Sequence, residues 1–280
     1  VGAIVACGAK PVFVDTDNRY QIDCNKIEKK ITKKTKAIIP VHWGGASPTM
    51  FKVMKIAKKY NIHVVEDACM GIGSRINKKS PGTFGIVNAF SMHPLKSLNV
   101  MGDGGMVVTN NKKIAEWLRK FRNHGMVDRD TIGILGCNSR LDTIQAVVGN
   151  WLIPQTEMIA QKRIENAAYY DKHLGNIPKI TIPPRPKDYR IVYHLYIVFA
   201  ERRDELLEYC LDQGIESKVH YPVPIYQQPA LSYLGLKKGD YPVTDAHTHK
   251  IITFPCDQHL SQKEMDFVIK TVTDFYQKTP

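Results

Sequence analysis

Between residues 37 and 67 two short apolar runs flank one amphipathic segment, and no other stretch narrows the choice of fold so far. The runs Ala37-Ile38-Ile39-Pro40-Val41-His42 and Ile62-His63-Val64-Val65-Glu66-Asp67 have the length and β-branched content of buried strands. Between them Met50, Val53, Met54 and Ala57 recur at i, i+3, i+4 and i+7 and make one apolar helix face, with Ser47-Pro48 as cap and first-turn proline and Asn61 as the stop. Upstream, residues 11–14 read as a further β-branched run and residues 25–31 as a helix with Asp23 or Cys24 near its N-cap. Strand, helix, strand, helix, strand with short links is the pattern of a parallel sheet covered by helices. Residues 86–90 add a buried strand, and Met106 to Thr109 another. The glycine cluster Gly102-Asp103-Gly104-Gly105 between them lacks the G-x-G-x-x-G spacing of a nucleotide loop and leads into a strand, so it reads as a turn.

Asn111 caps a helix with Ile114, Trp117, Leu118 and Phe121 on one face, ended by Gly125. Pro154 interrupts a helical region, so one helix is expected over 141–152 and a second from 154 to about 174. The break divides the chain into a large unit, residues 1–153, and a linking helix with a smaller α+β domain, residues 154–280. In the latter, residues 193–199 read as a strand, 203–213 as a helix ended by Gly214, and 215–220 as another strand. Ser261-Gln262-Lys263-Glu264 is a capping box opening a helix with Met265, Val268, Ile269 and Val272 inward.

At 280 residues, 43% hydrophobic and 24% charged, the composition is that of a soluble globular protein. The formal charge is +12, but the lysines are dispersed along helices without interleaved aromatics. That pattern fits a solvated basic face, or attraction of an anionic substrate, and not a nucleic-acid binder. Six cysteines without a C-x-x-C pair suggest reduced thiols and a cytoplasmic location. No run is long enough to span a bilayer, and the start lacks signal-peptide features. His247-Thr248-His249 has a metal-compatible spacing but no evident third ligand, so no metal is expected.

The chemistry concentrates in Ser91-Met92-His93-Pro94-Leu95-Lys96. Lys96 follows a buried strand with Pro94 and Leu95 before it, and a partly desolvated ammonium loses its proton more readily and becomes a nucleophilic amine. Position alone favours a surface lysine in a strand-to-strand loop. Asp67 ends another strand, where the carboxylate of a parallel strand faces the crevice in which open α/β sheets bind ligands. A lysine amine that condenses with a carbonyl, paired with an aspartate against a pyridinium nitrogen, is the protein side of pyridoxal phosphate chemistry. Glu66-Asp67-Ala68, the Ser91 to Lys96 segment, Gly102-Asp103-Gly104-Gly105-Met106-Val107-Val108-Thr109 and Arg122-Asn123-His124-Gly125, in this order and spacing, resemble the DegT/DnrJ/EryC1/StrS family of sugar aminotransferases. The resemblance runs from Gly8-Ala9-Lys10-Pro11 to the C-terminal helix.

It implies an α/β, aspartate-aminotransferase-like fold (PLP fold type I), with a mostly parallel sheet covered by helices and a smaller C-terminal α+β domain. By the same resemblance, Lys96 carries pyridoxal 5'-phosphate and then moves the substrate proton, ionised Asp67 keeps the pyridine nitrogen protonated, and Ser91, with His93 on the same turn, meets the phosphate. Gly136-Cys137-Asn138-Ser139-Arg140-Leu141 is similar to the family's Gly-Tyr-Asn-x-Arg signature. This implies a homodimer in which Asn138 and Arg140 complete the neighbouring site, although Asn138 is equally placed to cap a helix. His220-Tyr221-Pro222-Val223-Pro224 is similar to the His-Tyr-x-Pro segment at the mouth of the site and implies substrate contacts for His220 and Tyr221. The chain departs from the family at Trp43, in His42-Trp43-Gly44-Gly45, and at Cys69-Met70.

The implied activity is transamination of a keto-sugar, nucleotide-linked, with glutamate as amino donor, in cell-surface polysaccharide or secondary-metabolite sugar biosynthesis. Two alternatives stay open. Some family members replace the lysine by histidine and act as PLP-dependent sugar dehydratases, which retention of Lys96 argues against. The other is a catalytically silent binding or interaction module, because relative to the family the chain reads as an N-terminally truncated fragment without the Gly-Thr or Gly-Ser phosphate turn.

Overall fold

The computed structural model describes residues 1–278. After a short helix α1 (Gly2–Ala6), the large unit runs β1 (Ala37–Ile38), α2 (Met50–Tyr60), β2 (His63–Asp67), β3 (Arg75–Ile76), β4 (Val87–Ser91), β5 (Gly105–Val108), α3 (Lys112–Phe121) and α4 (Thr143–Leu152). The long helix α5 (Thr156–Leu174) leads into β6 (Ile180–Thr181), β7 (Tyr189–Arg190), β8 (Tyr196–Ala200), α6 (Arg203–Asp212), α7 (Pro242–Thr248), β9 (Ile251–Phe254) and α8 (Gln262–Lys278). The main sheet has the order β1-β2-β4-β5, with the first three strands parallel and β5 antiparallel to β4. A second sheet, β6-β8-β9, is antiparallel. β3 pairs with β7 and ties the two halves together.

Helix α2 forms where the spacing places it: Met50, Val53, Ile56 and Ala57 are buried against the sheet. Met50 and Val53 are both fully buried, and each such side chain contributes about 1.5–3 kcal/mol relative to exposure. Asn61 ends the helix in the left-handed region, at φ 51°. Asn111 caps α3 by accepting from the Ile114 N–H at 3.2 Å. The Ser261/Glu264 capping box forms reciprocally, at 2.7 and 3.3 Å. The wholly buried strand β8 packs with Tyr170, Leu174, Leu206, Ile252 and Val272 in one core.

Several expected elements are shorter or absent. Residues 25–31 give only a single turn of 3-10 helix, Glu28–Lys30, because Asp23 accepts from Asn25 N and closes a tight turn instead of capping a helix. The run at 11–14 makes no strand; pairing there is limited to a Thr16 and Ile22 bridge. The run at 37–42 is a strand only at Ala37–Ile38, since Pro40 has no N–H to donate, and Val41 returns as a single bridge to Asp67. Ser47 does not cap α2. Its hydroxyl is buried against His42, and the helix begins after Thr49. Residues 215–220 pair with β9 only through a Lys218 and Thr253 bridge, and Asn138 does not cap α4, whose N-cap is Asp142.

The large unit is tied by a carboxylate in its interior. Glu66, on β2, is fully buried and accepts from Gly82 N (2.8 Å), Phe84 N (2.6 Å) and Gly85 N (2.7 Å), and meets His42 Nε2 at 2.8 Å. Burial alone would raise its pKa, but the bonds from His42, Gly85 and Gly82 outweigh it and hold the carboxyl below its usual value. A carboxyl depressed on folding stabilises above its unfolded pKa of about 4.3, and that stability is lost as pH falls through the folded value. We therefore expect Glu66→Gln, which turns an amide N–H₂ toward existing donors, to lower unfolding free energy at pH 7 by about 3 kcal/mol or more in urea titrations. The gap should narrow below about pH 4 as the wild-type carboxyl is protonated. Equal stability of the two proteins at pH 7 would show that the charge is not what holds this knot.

Candidate active site

A cleft of about 610 Å³ opens between the two halves. Ser91, His93 and Lys96 come to it from the segment after β4, and Arg163, His194, His220 and Tyr221 from the C-terminal half. Because β2 and β4 are parallel neighbours with Asp67 opposite Ala89, their C-terminal ends deliver Asp67 and the Ser91 to Lys96 turn to the same edge of the sheet. The turn is closed by Lys96 N donating to His93 O at 2.8 Å and by Met92 pairing with Gly104 and Val100 across it.

Lys96 is half-buried, and burial pushes its ammonium below the usual lysine value, opposed only in part by Cys69 and Asp67 nearby. Asp67 lies behind the cleft wall, where its Oδ1 accepts from Cys69 N at 3.2 Å. The Cys69 thiol sits in the same place, pushed up to about 12 by burial and by Asp67, so it is a neutral S–H at physiological pH. Ser91 Oγ accepts from His93 N at 3.3 Å, which leaves its own O–H free to donate. His93 is exposed; its Nδ1 accepts from Leu95 N, and its Nε2 is 4.0 Å from Asp103.

His220 is anchored through Nδ1 to Thr253 Oγ1 at 3.0 Å, and Tyr221 stacks on Trp43 with ring centroids 5.8 Å apart and planes 2° from parallel. Trp43 thus bridges the two halves at the mouth. Asn138 and Arg140 do not line the cleft of their own chain. They are exposed and bonded to each other and to Asn123, with Arg140 Nε to Asn138 Oδ1 at 3.0 Å and Arg140 Nη1 to Asn123 Oδ1 at 3.0 Å. His247 stacks on Phe199 at 4.4 Å and contacts Thr16 Oγ1. Among the described residues no three His, Cys, Asp or Glu side chains cluster as a metal site.

Sequence reasoning missed His194 and Arg163. His194 is pushed down to about 3 by burial and by the charges of Lys96, Arg163 and His220, so its imidazole is neutral at working pH. Its place depends on the His42-Trp43-Gly44-Gly45 turn, where Gly44 O and Gly45 O accept from Leu195 N (3.2 Å) and Val192 N (3.1 Å). Gly45 has φ 87°, and a Cβ there would lie 2.7 Å from His194 N, so only glycine lets the turn approach the segment before β8. A signal for His194 existed in its position just before the apolar run 196–200. Arg163, on an ordinary polar helix face, had none.

The residues fit a pyridoxal phosphate site in kind: an amine with weakened proton affinity, a carboxylate beside it and a hydroxyl donor on the same turn. We expect Lys96 to titrate below the free lysine value of about 10.4 in competitive acetylation across pH, measured peptide by peptide. A midpoint at or above the free value would show that burial does not activate it.

Residues 1–273 match the model of the DegT/DnrJ/EryC1/StrS aminotransferase family. The chain is 37% identical to dTDP-3-amino-3,6-dideoxy-alpha-D-galactopyranose transaminase of Aneurinibacillus thermoaerophilus, covering 98% of this chain and 75% of the relative. It is 36% identical to a protein of Geobacillus stearothermophilus named pleiotropic regulatory protein, with 98% and 75% covered. Its fold superposes on the S. venezuelae DesV crystal structure, in complex with a ketimine intermediate, with a TM-score of 0.96 at 34% identity, over 99% of this chain and 75% of that one. The aspartate and lysine at adjoining strand ends, the turn chemistry and the family match agree, and the chain belongs to the DegT/DnrJ/EryC1/StrS aminotransferase family.

Proposed function

We propose that this protein is a PLP-dependent transaminase that converts the keto group of a nucleotide-linked sugar to an amine, with glutamate as donor, in the cytoplasm. The observation that carries the reading is the weakened proton affinity of Lys96 in a cleft with Asp67 behind it. Bound there, pyridoxal phosphate supplies an electron sink for negative charge at the substrate carbon. Lys96 Nζ, deprotonated at lower pH than a solvated lysine, takes the proton from that carbon and returns it. Asp67, ionised, keeps the pyridine nitrogen protonated, and the free O–H of Ser91 donates to the phosphate with His93 beside it. His220 and Tyr221 meet the sugar at the mouth. In this reading residues 1–153 form the cofactor-binding domain and residues 154–280 the linking helix and the small domain that closes the cleft. Among the described residues no helix is long and apolar enough to cross a membrane, and the six free thiols support a reducing compartment.

The active form in this proposal is a homodimer in which each subunit lends Asn138 and Arg140 to the other's phosphate. Their distance from their own cleft supports it, as does the adjoining face of α4, where Ile144, Val147 and Trp151 are 73%, 63% and 68% exposed.

Borohydride reduction of the holoprotein should leave the pyridoxyl label on the Lys96 peptide; a label on another lysine sinks the assignment. Asp67→Asn should keep the fold and lose most of the turnover, because a neutral amide cannot stabilise the protonated ring nitrogen. Wild-type turnover in that variant would move the role elsewhere. Mixing Asn138→Ala with Lys96→Ala subunits should restore activity, since one site of a mixed dimer is then intact. Verified subunit exchange without recovery would place Asn138 within its own site.

A further inference from the structure

Two half-buried arginines of the C-terminal half differ in their partners: Arg185 is paired with a carboxylate, and Arg163, which lines the cleft, is not. Arg185 lies against Asp171, with Nε to Oδ2 at 3.3 Å, and its cation covers the rings of Tyr193 and Tyr196. Arg163, on α5, donates through Nε to Gln258 Oε1 at 3.1 Å and through Nη1 to the carbonyls of Tyr193 and His194 at 3.3 and 3.5 Å. All three acceptors are neutral. Among the described residues Nη2 makes no hydrogen bond and the guanidinium forms no ion pair. Of the groups whose charge reaches it, Asp257 already accepts from His259 N at 2.8 Å, and Cys256 is a thiol pushed up to about 12 by burial. Burial lowers the proton affinity of Arg163, whereas at Arg185 the same effect is outweighed by Tyr20, Tyr193 and Asp171, which raise it.

A charge withdrawn from water without a counter-charge is costly, and it is retained where a ligand completes the pair. Lys96, His194 and Arg163 line the same cleft, and the charges of both cations help to keep the imidazole neutral. A small molecule that presents its amine to Lys96 and an anionic group to Arg163 would use both cations of this cleft. A planar guanidinium with a free edge matches a carboxylate, whereas a diphosphate calls for several cationic donors. The other fixed cation of this wall, Lys218, is already paired with Glu216 at 2.6 Å.

We infer that Arg163 anchors a carboxylate of the amino-acid donor. The inference rests on the transaminase reading above and adds which residue of this chain selects the donor. The test compares the wild-type holoenzyme with Arg163→Gln and Arg163→Lys. KM for the amino-acid donor should rise roughly tenfold or more in Arg163→Gln and less in Arg163→Lys, while KM for the keto-sugar and kcat at saturating donor stay within about twofold. Glutarate, a dicarboxylate with no amine to transfer, should raise the melting temperature of the wild type and not that of Arg163→Gln. A raised KM for the nucleotide sugar with an unchanged donor KM overturns the proposal in favour of a phosphate contact. A fall in kcat and melting temperature with both KM values unchanged overturns it in favour of a brace for the Tyr193 and His194 carbonyls. If no keto-sugar is aminated and glutarate protection still depends on Arg163, the transaminase reading fails while the carboxylate site stands.

Discussion

The site rests on one buried carboxylate. Glu66 and Asp67 are consecutive on β2, so their side chains leave opposite faces of the strand, one into the interior and the other toward the ligand edge. By gathering the N–H groups of Gly82, Phe84 and Gly85, Glu66 fixes the loop that enters β4, and through His42 it fixes the turn that follows β1. The first leads into β4, whose far end opens the Lys96 turn, and the second carries Trp43. An ionised group with no water near it is tolerable only because its main-chain donors point at it before anything binds, and the hydrogen bonds outweigh the cost of desolvation.

Desolvation also sets the chemistry, with a different result at each group. Glu66 has donors enough to stay ionised. Lys96 has only partial compensation from Asp67, so its proton is held more loosely. His194 has cations around it and becomes a neutral ring, and Cys69 a neutral thiol. One half-dry cleft therefore sets an amine with weakened proton affinity beside a neutral imidazole, and shifted protonation of this kind is what acid and base catalysis uses.

The two halves are joined by close backbone approach as well as by side chains. Gly44 and Gly45 reach the segment before β8, Trp43 stacks on Tyr221, and β3 pairs with β7, so the wall bearing His194 and Arg163 has a fixed relation to the lysine turn. Elsewhere the molecule leaves apolar surface open, on α4 and along β5 where Val107 is 55% exposed.

The sequence by itself determined the elements whose signal is local. The apolar spacing of α2, the Asn61 stop, the Asn111 cap, the Ser261 box and the turn from Gly102 to Gly105 are written in residues a few positions apart, where sterics and hydrogen-bond reach decide. Lys96, Asp67 and Ser91 were singled out through the order and spacing of the motifs that carry the family resemblance, since position at a strand end left Lys96 open to a surface reading. The short strand at residues 37–38, the missing helix at 25–31 and the burial of Ser47 against His42 were not, since there a proline, a competing side-chain turn at Asp23 or a buried partner outcompeted helix and strand propensity. His194 and Arg163 were hidden for a related reason: a histidine and an arginine become part of a site only when the fold draws them from water and sets them beside other groups, and the partners of Arg163 lie 30 to 95 residues away along the chain.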